Sequence, residues 1–179
     1  IMNMEKYGIS IDVNKLNELS TDFDKKLKRL EKSCFELIDE EINLGSPKQV
    51  GEILFDKLSL PGGKKTSTGS WSTNAEVLEN LANEGYDFPR ILLEWRALSK
   101  LKTTYTDTLP TYLNNKTNRI HTSFAMATTS TGRLASSDPN LQNIPIRSDD
   151  GRMIRKAFIP EKGNVLISSD YSQIELRLI

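Results

Sequence analysis

Between Leu16 and Ile42 the apolar residues fall in a three-four rhythm: Leu16, Leu19, Phe23, Leu27, Leu30, Cys34, Leu37 and Ile42, with charges between them. That spacing lays one narrow apolar stripe along a helix of about seven or eight turns at 3.6 residues each. A narrow stripe packs against one other long helix, as in a coiled-coil seam. Asp12 is positioned as its N-cap. The partner pattern runs from about Pro89, with Ile91, Leu92, Trp95, Leu98, Leu101, Tyr105 and Leu109 on one side before Pro110. Between the two, Ser46-Pro47-Lys48-Gln49 reads as a capped helix start that ends before Pro61-Gly62-Gly63. Thr73-Asn74-Ala75-Glu76 reads as a second capping box, for a helix ending at Gly85. Two long helices separated by short ones predict an antiparallel helical arm, with a loop at 61–72 that carries Lys64 and Lys65.

The pattern changes at Asn114. Asn114-Asn115-Lys116-Thr117 is a turn, and Ile120, Thr122, Phe124 and Met126 alternate as in a strand. Residues 128–151 are too rich in Ser, Thr, Asn, Asp and Pro for regular structure, and a loop of that length is usually functional or disordered. Ala157-Phe158-Ile159 and Val165-Leu166-Ile167 read as two strands joined across Pro160–Asn164. The second strand would deliver Asp170 at its end, before a helix start in which Ser172 and Glu175 stand three apart. A carboxylate so placed suits a hard cation, although Mg²⁺ sites combine one or two carboxylates with substrate phosphates and water. The boundary between a helical and a mixed region falls near residue 113.

Charge separates the same regions. Residues 1–96 hold 13 Lys and Arg against 17 Asp and Glu, whereas residues 97–163 hold 10 against 5. A basic excess confined to one stretch fits a surface that faces a polyanion, and equally a chance fluctuation on a solvated face. No run approaches eighteen apolar residues, so no membrane span is expected. The single cysteine, Cys34, excludes an internal disulfide, fits a reducing cytoplasm and belongs to the apolar stripe as a core thiol. His121, the one histidine, has no ligand cluster near it in sequence and reads as structural. Trp71 reads as loop packing, and Trp95 as core. The first residues lack a secretory signal, and the chain reads as a piece of something longer.

The long loop sets Arg133, Asn140, Gln142, Asn143 and Arg147 among small residues and prolines. Arg offers a fork of donors, and Asn and Gln offer donors and an acceptor. Minor-groove acceptors are similar on all base pairs, so such side chains can test duplex geometry without reading sequence. A polar surface loop with Asx turns would have the same composition.

Three segments, Thr131-Gly132-Arg133-Leu134, Pro139-Asn140-Leu141-Gln142-Asn143-Ile144-Pro145 and Asp170-Tyr171-Ser172-Gln173-Ile174-Glu175-Leu176-Arg177, closely resemble bacterial family A DNA polymerases. The resemblance extends to Ser46-Pro47-Lys48-Gln49-Val50, Lys64-Lys65-Thr66, Ser99–Tyr105 and Arg119–Ser123, in order and over nearly the whole chain. It implies an α+β fold in which a long antiparallel helical thumb (1–113, with a few palm-entry residues) precedes part of an antiparallel-sheet palm (114–179). That palm would be truncated just after the first catalytic Asp motif, and the fingers would be absent.

The implied activity is DNA-directed DNA synthesis from deoxynucleoside triphosphates on template-primer DNA, in replication and repair. Two Mg²⁺ ions would serve the complete site, and this stretch alone would be inactive. The resemblance makes Asp170 the first metal-binding aspartate and the Tyr171 carbonyl a backbone ligand. Ser172, Gln173, Ile174, Glu175 and Arg147 match positions around the incoming nucleotide. Glu175 is also the capping-box residue, and the two roles are compatible; Arg177 fits the motif or a helix surface. Arg133 matches a minor-groove contact at the primer terminus, and Asn140, Gln142 and Asn143 match groups near the duplex. Arg96, Lys100, Lys102 and Thr103 match thumb positions facing the DNA backbone, or lie on a solvated helix face. Ala135 stands where the family more often has Ser, and Ala125-Met126 replace commonly polar residues; neither removes an implied ligand. A monomeric protein of the bacterial cytoplasm and nucleoid is expected. A noncatalytic duplex-binding module is the alternative, and a helical interaction protein that never touches DNA is a third.

Overall fold

The computed structural model describes residues 1–178, with the side chains of Glu175 and Leu178 outside the description. Its axis is the predicted long helix, α2 (Val13–Ile38), which starts where the Asp12 carboxylate accepts the Lys15 N–H at 3.0 Å. Asp39 ends it in a left-handed conformation, φ 55°. The stripe Leu16, Leu19, Phe23, Leu27 and Cys34 is buried, but at the last turn Ile38 takes the inward position and Leu37 is exposed.

Its partner is α5 (Asp87–Leu101), which continues as a wider, π-type turn over Lys102–Thr106 and a 3₁₀ turn over Leu109–Tyr112. Between them lie α3 (Pro47–Gly51), extended by a second π-type segment at Glu52–Lys57, and α4 (Ala75–Asn83). Ser46 caps α3, accepting the Gln49 N–H at 3.5 Å. The cap of α4 is Asn74, which accepts the Val77 N–H at 3.0 Å. The expected Ser/Thr capping box at Thr73 is therefore displaced by one residue, because buried Thr73 is engaged by Arg96 instead.

Two apolar cores divide the length of the helix pair. At one end Cys34, Ile38 and Leu92 pack with Val50, Leu54, Leu78 and Leu81. At the other, Leu16, Phe23, Leu98 and Leu109 pack with Ile120, Ile144, Ile154 and Ala157. Trp95 touches both and donates its indole N–H to Glu31 at 3.1 Å.

Around the second core the described residues make three two-stranded antiparallel pairs. β1 (Ser10–Ile11) pairs with β6 (Phe158–Ile159), placing Ser10 opposite Ile159 and Ile11 opposite Phe158. β2 (Leu113–Asn114) and β3 (Arg119–Ile120) pair across the expected turn, where the Asn114 side chain accepts the Lys116 N–H at 2.9 Å, and the strand expected from Ile120 to Met126 is broken after Ile120. β4 (Ser123–Ala125) pairs with β5 (Ala135–Ser137). Two helices carry no long apolar repeat and stand outside the sequence reading: α1 (Met2–Tyr7) and α6 (Asp149–Arg155). Ser148 caps α6, accepting the Gly151 N–H at 3.1 Å.

The second strand expected near the end of the chain is not there. Phe158–Ile159 pairs with the start of the chain, and Val165–Ile167 lies in no strand, with exposures of 77%, 55% and 86%. Three apolar residues cannot make a strand without a neighbour to take their backbone hydrogen bonds, and no described residue does so. The final helix, α7 (Ile174–Leu178), follows Gln173 at φ 52°.

Candidate nucleic-acid interface

A cavity of about 620 Å³ opens between the end of α5 and the long loop. Lys100, Leu101, Thr104 and Tyr105 line one wall; Asn140, Asn143 and Pro145 line the other. Two regions distant in sequence, both marked as candidates, thus form opposite walls of one groove.

The four thumb candidates differ in what their polar groups do. Lys100 is exposed, and its ammonium makes no ion pair among the described residues. Lys102 is tied to Asp107 at 2.7 Å, and its side chain is 19% exposed. Asp107 also accepts from Ser20 on α2 at 2.6 Å. Burial pushes the Asp107 carboxyl up, but the hydrogen bonds from Lys102 and Ser20 together with the Lys102 charge outweigh it and leave the group below its ordinary range. Thr103 returns its hydroxyl to the Ser99 carbonyl at 2.9 Å. Arg96 donates to the Thr73 carbonyl at 2.6 Å and to the Thr73 hydroxyl at 3.3 Å, and burial lowers its pKa. Arg96 thus ties α5 to the residue before the α4 cap, Lys102 backs the Asp107 carboxylate that reaches α2, and Lys100 is left with a free charge toward the groove.

The loop candidates divide in the same way. Gln142 donates its amide to the Leu134 carbonyl at 3.0 Å. The Asn140 side-chain oxygen accepts from its own loop, from the Gln142 N–H at 3.0 Å and Ser136 at 3.3 Å, which leaves its NH₂ as the outward donor. Asn143, Arg133 and Arg147 have exposed side chains. The loop is held from behind: Tyr105 donates to the Asn143 carbonyl at 2.5 Å, and Arg155 on α6 donates to the Ile144 carbonyl at 2.6 Å. Buried Thr122 donates to the Pro139 carbonyl at 2.7 Å, beside the cis Asp138–Pro139 bond. Sequence reasoning missed Tyr105 and Arg155 in this setting. The available signal was Ser148 three residues before Gly151, a cap that announces a helix inside the supposed irregular stretch.

His121 is structural, as expected. Its Nδ1 donates to the Glu5 carbonyl at 2.8 Å, since a carbonyl only accepts, and its Nε2 lies 2.7 Å from the Thr117 hydroxyl. Cys34 is a core thiol, raised to about 11 by burial and then by Glu31. Trp71 packs on Phe55 with ring centroids 4.9 Å apart and donates to Asp56 at 3.0 Å.

Asp170, Tyr171, Ser172 and Gln173 are exposed, and Ile174 is 37% exposed. The Asp170 carboxylate and the Tyr171 carbonyl are hard oxygen donors, the kind Mg²⁺ takes. Their chemistry fits a share of such a site, although among the described residues no three His, Cys, Asp or Glu come together. The Glu175 side chain lies outside the described residues. Among the described residues no helix is long and apolar enough to cross a membrane.

The chain is similar in sequence to known proteins of one family. The family described as DNA polymerase family A matches residues 13–179. DNA polymerase I of Rhizobium leguminosarum is 53% identical over 179 residues, all of this chain and 18% of that protein. DNA polymerase I of Pseudomonas aeruginosa is 49% identical over the same length, covering 20% of that protein. A solved structure, the POL domain of Pol1 from M. smegmatis in complex with DNA primer-template and dNTP, superposes with a TM-score of 0.86 at 41% identity. That match covers 98% of this chain and 31% of the other. The chain spans about a fifth of the length of the curated relatives it matches. Its helical pair and small open antiparallel sheets are the thumb and partial-palm organisation of that polymerase, and the chain belongs to DNA polymerase family A.

Proposed function

We propose that this chain is the thumb (1–113) and the beginning of the palm (114–179) of a bacterial DNA-directed DNA polymerase. The parent would extend a primer on template DNA from deoxynucleoside triphosphates, as a monomer of the cytoplasm and nucleoid. The observation that carries the reading is the groove in which Lys100 of α5 faces Asn140 and Asn143 of the loop. A cationic wall opposite amide donors suits a phosphate backbone on one side and base-edge acceptors on the other. Exposed Arg133 and Arg147 add donors from the same loop, for the primer terminus and the nucleotide. Arg96, Lys102, Thr103 and Gln142 serve the interface by holding its walls.

Asp170 and the Tyr171 carbonyl would hold Mg²⁺, with Ser172, Gln173, Ile174 and Glu175 beside the incoming nucleotide. When bound, two Mg²⁺ ions would offset the charge on the attacking and leaving oxygens of the transfer. This chain brings one carboxylate of the set, so by itself it binds duplex without extending it. In a complete polymerase carrying these residues, Asp170→Ala is expected to abolish primer extension and leave duplex affinity largely intact. Equal loss of both would make Asp170 structural, and extension by the pure 179-residue chain would overturn the division of the site.

A further inference from the structure

Among the described residues the loop between Asn143 and Arg147 has no strand partner, yet its five consecutive carbonyls are all taken by side chains from outside it. Tyr105 takes Asn143 at 2.5 Å. Arg155 takes Ile144 at 2.6 Å and Pro145 at 3.1 Å. Arg152 takes Ile146 at 3.3 Å and Arg147 at 2.8 Å. The helix behind the loop presses close: a Cβ on Gly151 would lie 2.7 Å from Pro145 Cβ and 2.9 Å from the Pro145 carbonyl oxygen. That helix is itself anchored, by fully buried Ile154 and by the Lys26–Asp150 pair at 2.7 Å, which reaches α2.

We propose that Arg155, Arg152 and Tyr105 are positioning residues that set the direction of the Asn143 and Arg147 side chains toward the duplex and nucleotide; the proposal rests on the polymerase reading above. A peptide unit is planar and ends on a Cα at each side, so fixing the direction of a carbonyl restrains the Cα–Cβ bonds of its own residue and of the next. A guanidinium is a rigid fork that spans two carbonyls at once, which a flexible ammonium does only by bending. With each carbonyl engaged, the loop holds one conformation without a sheet. Asn143 and Arg147 then meet a duplex without ordering themselves first. Minor-groove side chains held this firmly test the shape of the terminal base pair; loose ones follow a distorted pair as readily as a correct one.

The test uses a complete family A polymerase carrying these residues, with Arg155→Met, Arg155→Lys and Tyr105→Phe. For each, extension rates from matched and mismatched primer termini, duplex affinity against salt and the melting temperature are measured. Arg155→Met is expected to lower the matched-to-mismatched ratio by about tenfold or more, the scale on which slight misplacement acts. Tyr105→Phe keeps the buried ring, removes one donor and is expected to lower the ratio less. Arg155→Lys should fall between Arg155→Met and the unchanged enzyme. An unchanged ratio in Arg155→Met and Tyr105→Phe would overturn the proposal. So would weakened binding with a salt slope shallower by about one, which would make Arg155 a direct phosphate contact. Failure of the polymerase reading is separate, since it would appear as no extension of the matched primer by the unchanged protein.

Discussion

Asp107 joins α2 to the turn beyond α5 through Ser20 and Lys102, and its carboxyl is held below the ordinary range. Because its folded pKa lies below the unfolded one, its contribution is complete above the unfolded value and is lost as pH falls through the folded value. Melting temperature is therefore expected to drop as pH falls through and below the ordinary carboxylate range, and Asp107→Asn should flatten that limb while lowering stability at neutral pH. An unchanged acid limb in Asp107→Asn would remove Asp107 from the account. Single residues were legible where one side chain and its own backbone settle the outcome. Asp12 and Ser46 cap where the sequence places them, and Cys34 and His121 are structural. Arg96 and Lys102 were not legible, because their partners Thr73 and Asp107 become neighbours only through helix packing and local turn geometry.

At the scale of elements, the helix α6 decides the shape of the interface although it is only seven residues long. Gly151 meets the Pro145 backbone too closely for any side chain, and backbone yields less readily than a flexible side-chain end. Gly151→Ala is expected to destabilise by about 1–3 kcal/mol, as overpacking does. Thermal melts of the purified chain would show it, and a neutral substitution would mean that the loop and helix separate easily. The helices α2 and α5 were visible from periodicity, which is local. The stretch Val165–Ile167 shows the limit of that approach: its apolar composition suits a strand, but strand formation needs a partner, and none lies among the described residues.

For the whole molecule, the two cores make the helix pair a lever joined to the small sheets, with the groove at the junction. Duplex binding in that groove is expected to weaken as salt rises, since each phosphate contact releases counterions. Lys100→Ala should lower the salt slope by about one, whereas Lys102→Ala should leave it nearly unchanged, because Asp107 already occupies that ammonium. Equal slopes for both variants and the unchanged chain would place the duplex elsewhere. The amino-acid sequence by itself determined the long helices α2 and α5, the caps at Asp12 and Ser46, the turn at Asn114–Thr117 and the motifs that mark the family, all of which depend on residues close in sequence. Tertiary structure alone decided that β6 pairs with β1, that Lys100 and Asn143 share a groove, and which candidate side chains remain free. The strand pairing and the groove join residues about 40 to 150 positions apart, and such contacts form only when buried apolar surface offsets the entropy of closing the chain between them.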